Sequence, residues 1–166
     1  MTSEQRQRDG AFQMIDNPIT YELVPNANNN PFIVNAYLRS HFADFPFNQA
    51  AYTLYSVESE KFLKKLLSKS LVMLTHLEDN NDISFSFVIY QYIDSQLVLH
   101  YTYTKHEFKR QGLIKNTINL ILPTPETPII ATHFPKSPKV MVGLRKHFPN
   151  IVFDPFYFTR TFNADY

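Results

Sequence analysis

The residues whose types and spacing could do chemistry gather in one stretch, 97–114, which reads LVLHYTYTKHEFKRQGLI. Its first part belongs to Gln96–Thr104, a β-branched and aromatic run that reads as a strand. The strand feeds a basic turn: between residues 105 and 115 there are four Lys or Arg and one Glu, in a chain of formal net charge +1. Gly112, one of only three glycines, then opens a helical pattern. A helix start offers unpaired backbone N–H groups and the positive end of the helix dipole, which suits a phosphate or pyrophosphate. A glycine there lets the backbone approach such a ligand closely. The same residues also describe a solvated turn in which Gly112 supplies a positive φ, and residue types alone leave both readings open.

His100 lies within the strand, on the face that strict alternation gives to Val98, Thr102 and Thr104. Histidine titrates near neutrality, so His100 is a candidate general base for an amine, with a hydrogen-bonded strand histidine as the alternative. His133, His147 and Asp154 have no metal-ligand spacing, and no HExxH, CxxC, GxSxG or P-loop pattern occurs. A second basic cluster, Lys136, Lys139, Arg145 and Lys146, has no acid from residue 136 to 152 and is interleaved with Phe134 and Phe148. It could face a coenzyme phosphate, a nucleic acid or solvent. The near-neutral net charge argues against a nucleic-acid footprint without removing that partner.

The elements that must position these groups follow from periodicity and punctuation. Residues 1–17 read as a polar lead with Phe12, Met14 and Ile15 as its anchors, and 18–166 as one domain. A strand is predicted at 19–24 and a loop at 25–31. A helix follows over 32–42, with Asn30 as its cap and Pro31 in its first turn, burying Ile33, Tyr37 and Phe42. After a loop around Pro46, a second helix is predicted from a Ser56 cap, with Phe62, Leu63, Leu66 and Leu67 as its apolar stripe. Strands at Leu71–Leu77, 83–93 and Gln96–Thr104, joined by turns at 78–82 and Asp94-Ser95, make an antiparallel meander. A helix at 113–122 ends before Pro123. A strand at 128–133, a helix from a Ser137 cap to Lys146 and a strand at 151–158 complete the order β-α-α-β-β-β-α-β-α-β.

Composition bounds the class. The length of 166 residues suits one domain that buries its own core, and 44% hydrophobic with 19% charged residues excludes a disordered chain. With 15 Phe and 10 Tyr the core should be rich in rings. The absence of cysteine excludes disulfides, zinc thiolates and a cysteine nucleophile. No apolar run is long enough to span a membrane, the first ten residues lack the apolar core of a signal peptide, and a reducing cytoplasm is the expected compartment.

The strand, the basic turn and the element order resemble the GNAT superfamily of N-acetyltransferases. That family's signature, [RQ]-x-x-G-x-[GA], follows a strand and opens a helix, and the matching positions here are Lys109, Arg110, Gln111, Gly112, Leu113 and Ile114, preceded by Phe108. The wording LH-x-x-Y-x-K-x-x-F-[KR]-x-x-G over 99–112 resembles compact phage-encoded members. The resemblance implies an α/β (α+β) fold with a mixed, mostly antiparallel central sheet and helices on both faces. It implies acetyl-coenzyme A or another acyl-coenzyme A as donor, and an amine as acceptor. It gives the pyrophosphate to backbone amides of residues 109–114, and the pantetheine arm and oxyanion to backbone groups at Tyr103 and Thr104. Tyr157 would protonate the thiolate. Host cytoplasm or a virion would be the location of a phage-encoded member. Lys109 stands where the family has Arg or Gln, and Ile114 where it has a small residue, which sets a branched side chain beside the pyrophosphate. The tail also departs, reading Thr132-His133-Phe134, then Gly143 and His147-Phe148. These departures, with Phe45, Phe47, Phe156 and Phe158, raise a second expectation: a non-catalytic GNAT-like virion or interaction component with a virion or self-assembly partner.

Overall fold

Strands rich in Val, Ile, Phe and Tyr pair in chain order to form one six-stranded sheet, β1-β2-β3-β4-β5-β6. The computed structural model describes residues 15, 18–43, 51–133, 138–157 and 160. Within these, β1 is Ile19–Leu23, β2 Leu71–Leu77, β3 Ser84–Ile93, β4 Gln96–Thr104, β5 Ile129–Ala131 and β6 Ile151–Phe153. The helices are α1 Pro31–Phe42, α2 Tyr52–Lys69, α3 Leu113–Ile121 and α4 Pro138–His147. The polar lead apart from Ile15, the loop around Pro46, Ser137 and the expectations on Phe45, Phe47, Phe134, Lys136 and Phe158 lie outside the described residues.

The first four strands are antiparallel to their neighbours, whereas β5 runs parallel to β4, and β6 parallel to β5. A parallel step needs a crossover, and α3 and α4 supply the two. The β3–β4 connection is a two-residue hairpin in which Asp94 (φ 50°) and Ser95 (φ 62°) both take left-handed conformations, as a primed turn demands.

Helices cover both faces. α1 and α2 pack Ile33, Tyr37, Leu63, Leu66 and Leu67 over Val72, Leu74, Phe87, Ile89 and Tyr101. On the other face Ile118 and Ile121 of α3 and Met141 of α4 join Val88, Tyr90, Leu97, Leu99 and Ile129. This double cover explains why β3 is buried from Ser84 to Tyr90 on both of its sides, although its polarity alternates.

Asn30 caps α1 as expected: its Oδ1 accepts from the Ile33 N–H at 3.2 Å, with Pro31 in the first turn. The start of α2 differs from the sequence reading. The helix begins at Tyr52, and Ser56 sits inside it with its hydroxyl donating to Thr53 O at 3.0 Å. A serine before an apolar stripe looks like a cap, but Tyr55, the residue just before it, is already buried and draws the helix back. The last strand is also shorter than expected and ends at Phe153, before Pro155.

Candidate functional site

The site is built around an interruption of β4. Opposite Ile89 and Tyr90 the pairing jumps from Tyr101 to Leu99, so His100 is an extra residue, a β-bulge. A bulge places two successive side chains on one face. His100 and Tyr101 therefore both face α1 and α2. Beyond them the alternation is reversed, so Thr102 and Thr104 take the opposite face. The expected shared face for His100, Thr102 and Thr104 is corrected by this one inserted residue.

At the same point β5 leaves. It pairs with β4 only from Leu97 to Leu99, and Thr132 N–H donates to Leu99 O at 2.9 Å as the final link. Lys105 N–H donates to Phe85 O at 2.9 Å, and Phe87 pairs with Tyr103. Antiparallel alternation then turns the backbone groups of Tyr101 and Tyr103 toward β3. Those of Thr102 and Thr104 turn toward the side from which β5 diverges. The backbone of Thr104 faces that edge and the backbone of Tyr103 does not; Thr102 shares the edge with Thr104.

The turn after β4 is pinned by an aromatic. Phe108, in the short 3-10 turn His106–Phe108, is buried against Phe85 with ring centroids 4.5 Å apart. Lys109 and Arg110 remain exposed, and Arg110 takes a left-handed φ of 65°. Gln111 Oε1 accepts from Ile15 N–H at 3.1 Å, which ties an earlier segment to the turn. Gly112 caps α3 with φ 73°, and no side chain caps the helix. No acid occurs in the first turn of α3. The amides that open α3 therefore keep their positive character. A Cβ at Gly112 would meet only Asn116 Oδ1, at 4.0 Å, so the space above this backbone is open. Leu113 is buried with Phe85 and Phe108, and Ile114 packs against the core beneath α3. The branched side chain of Ile114 is thus absorbed by packing, where the motif comparison sets it beside the pyrophosphate.

On the α1 and α2 side, the divergence of β4 and β5 opens a cavity of about 170 Å3. Its walls include Tyr37, His41, His100, Tyr101 and His133. Tyr55 OH donates to Leu38 O at 3.2 Å, so at 2.9 Å from His41 Nδ1 its oxygen is the acceptor and Nδ1 carries the proton. His41 stacks on Tyr37 at 5.1 Å and lies 5.5 Å from the His133 ring. His100 Nε2 donates to Gln91 Oε1 at 2.7 Å, and Nδ1 lies 3.3 Å from the Thr132 hydroxyl, whose one proton is shared between Nδ1 and Leu99 O at 3.4 Å. Burial lowers the pKa of His100 from 6.5 to about 4. Burial, and then His133, lower that of His41 to about 4 as well. Burial also raises the Tyr37 phenol far above its ordinary value, with the neighbouring Tyr101 and Tyr55 adding to the shift.

These neutral histidines make stability depend on pH. Between about pH 4 and 6.5 the unfolded chain binds protons that His100 in the fold refuses. The contribution is whole above that window and is lost as pH falls through it, by up to about 1.4 kcal/mol per pH unit for His100. Urea denaturation near pH 7 and about pH 5 is expected to show the loss, and His100→Gln to reduce it to the share that His41 contributes. An unchanged slope in the variant would mean that His100 is protonated in the fold.

Tyr157 lies elsewhere. Its hydroxyl donates to Gln96 Oε1 at 3.3 Å, at the start of β4, whereas the divergence begins beyond Leu99. Lys139, Arg145 and Lys146 are exposed on α4. Sequence reasoning missed Thr102, His41 and Tyr55. The Tyr37–His41 spacing of one helical turn on a buried face was the available signal for His41. Among the described residues no group of three His, Asp or Glu could hold a metal, and no helix is long and apolar enough to cross a membrane.

Solved structures are similar in fold. A possible acetyltransferase from Clostridium difficile 630 is similar with a TM-score of 0.52 and 12% identity, over 82% of this chain and 92% of that one. A provisionally assigned acetyltransferase from Deinococcus radiodurans R1 gives a TM-score of 0.51 and 10% identity, over 81% and 84%. The ribosomal-protein-alanine N-acetyltransferase from Brucella melitensis biovar Abortus 2308 gives 0.48 and 14%, over 78% and 89%. No protein-family model matches the chain, and no curated protein matches its sequence. The fold is GNAT-like: a mixed, mostly antiparallel sheet with helices on both faces.

Proposed function

We propose that the protein transfers an acyl group from acyl-coenzyme A to an amine. The observation that carries this reading is the divergence of β4 and β5 at the His100 bulge, directly followed by the basic turn and the uncapped start of α3. The residues fit the donor. The edge at Thr102 and Thr104 offers backbone groups to a pantetheine arm. Lys109, Arg110 and the amides of Gln111 to Ile114 surround the open space at Gly112, which suits a pyrophosphate.

Bound acyl-coenzyme A would supply the acyl group as an activated thioester. The acceptor nitrogen forms a bond to the acyl carbon, the carbon–sulfur bond breaks, and the sulfur leaves with its electron pair. The N–H of Thr102 or Thr104 donates to the carbonyl oxygen as charge develops there. A water takes the proton that the amine loses, since burial lowers the pKa of His100 to about 4 and leaves it a weak base. We do not give the thiolate proton to Tyr157, whose hydroxyl is bonded to Gln96. Phage encoding, and with it host cytoplasm or virion as location, rests on the wording of residues 99–112 alone.

A second reading, a GNAT-fold interaction module without catalysis, draws on apolar side chains left exposed: Tyr52 at 52%, Leu54 at 64% and Val57 at 52% on α2, and Phe156 at 66%. Calorimetric titration with acetyl-coenzyme A separates the two. Acyl transfer predicts saturable heat at micromolar to millimolar ligand; no heat and no thermal shift at millimolar ligand would sink it in favour of the module.

A further inference from the structure

A groove of about 460 Å3 runs between α1 and the C-terminal end of β4. Phe32 and Tyr103 form apolar walls, with ring centroids 5.9 Å apart. Two cations, Arg39 and Lys105, line the groove, and no acid does. Lys105 Nζ rests 5.1 Å from the centre of the Phe32 ring, which holds the ammonium against the groove wall. Among the described residues neither Arg39 nor Lys105 makes a salt bridge. Two like charges drawn to one concavity leave a local positive potential, which Glu107, acting on Tyr103 from outside the groove, offsets only in part.

The groove adjoins the histidine–tyrosine cavity. Ser40 lines the groove, Tyr101 lines the cavity, and their hydroxyls share a hydrogen bond of 2.7 Å. A ligand lying along β4 would therefore reach both.

We propose that the groove holds the oxyanion of the acceptor, which is a small primary amine carrying a carboxylate or phosphate about 7–13 Å from its nitrogen. The span follows from the strand. The amine end sits beside Tyr101 and the anionic end beside Tyr103 and Lys105, two to four residues on at about 3.3 Å each. The Arg39 guanidinium can meet either oxyanion through paired N–H groups, and Lys105 adds a point charge. The proposal rests on the acyl-transfer reading for the word acceptor, and on the groove alone for the oxyanion.

Triglycine places an amine and a carboxylate about 10 Å apart when extended, and aminohexyl phosphate spans a similar length. Each is titrated by calorimetry against the whole chain, beside triglycine amide and hexylamine, and all four are then offered with acetyl-coenzyme A. The oxyanion probes are expected to bind about five- to tenfold more tightly than their uncharged-ended partners. The preference should shrink with salt. It should vanish in the Arg39→Gln, Lys105→Gln double variant, whose melting temperature stays that of the parent. A preference for only one oxyanion supports the site and names its ligand. Equal binding of charged-ended and uncharged-ended probes, or a preference that survives in the double variant, overturns it. Oxyanion binding without any acetyl-coenzyme A binding removes the acyl-transfer reading and leaves the groove as an oxyanion site.

Discussion

Phe87→Ala is expected to destabilise the fold by about 3–5 kcal/mol, a large part of what a domain of this size holds in reserve. Phe87 has 0% exposure and lies at the centre of the face under α1. Its ring meets Phe32 edge-on at 5.9 Å and stacks near Tyr103 at 5.4 Å. Removing it leaves a cavity that neighbours on a pleated sheet cannot close. The same ring supports both walls of the α1–β4 groove, so the variant should also lose oxyanion binding. Urea denaturation measures the first effect, with Leu120→Ala as a control. Leu120 is 59% exposed, and its truncation should stay within about 0.5 kcal/mol of the parent. A Phe87→Ala loss below about 1 kcal/mol would show a core that relaxes far more than this packing allows.

Gly112→Val is expected to weaken coenzyme A binding by about ten- to a hundredfold, the value of one charge-assisted hydrogen bond. The structure adds a second consequence. At φ 73° a β-branched residue is strained, so the variant should also lose about 1–2 kcal/mol of stability. The sequence left ligand approach and a positive φ open for this glycine, and the structure shows the positive φ. Gly112→Asn separates the two effects, because asparagine tolerates the left-handed region. It should keep most of the stability and still crowd the open space above the backbone. Arg110→Ala should cost less affinity than Gly112→Val, since an exposed side-chain charge is screened. If Gly112→Asn and Gly112→Val both bind coenzyme A as the parent does, the glycine serves the turn alone.

The meander was legible because its signals are local. The 78–82 turn and the Asp94-Ser95 turn bound β3, and β4 matches its expected limits, Gln96–Thr104. The Asn30 cap was legible because Pro31 follows it. The bulge at His100 was not: no residue type announces an inserted strand residue, and one insertion exchanges the faces of everything after it. That is why Thr102 was missed and Tyr103 was assigned to the wrong edge. The cavity was hidden for a different reason. His41, His100 and His133 come from α1, β4 and the segment just after β5, and only tertiary packing brings them together. Ile114 departs from the resembling motif in type, yet its side chain points into the core, which a pattern of letters does not reveal.

The central claim is that coenzyme A enters where β4 and β5 part and ends on the start of α3. An amide-resolved NMR titration with coenzyme A tests it most directly, because each element of the claim is a backbone N–H. The account predicts saturable shifts at Thr102, Thr104 and the residues from Lys109 to Ile114, with the β3–β4 turn at Asp94 and Ser95 unmoved. Saturable shifts confined to other surfaces, or none at millimolar coenzyme A, would contradict it.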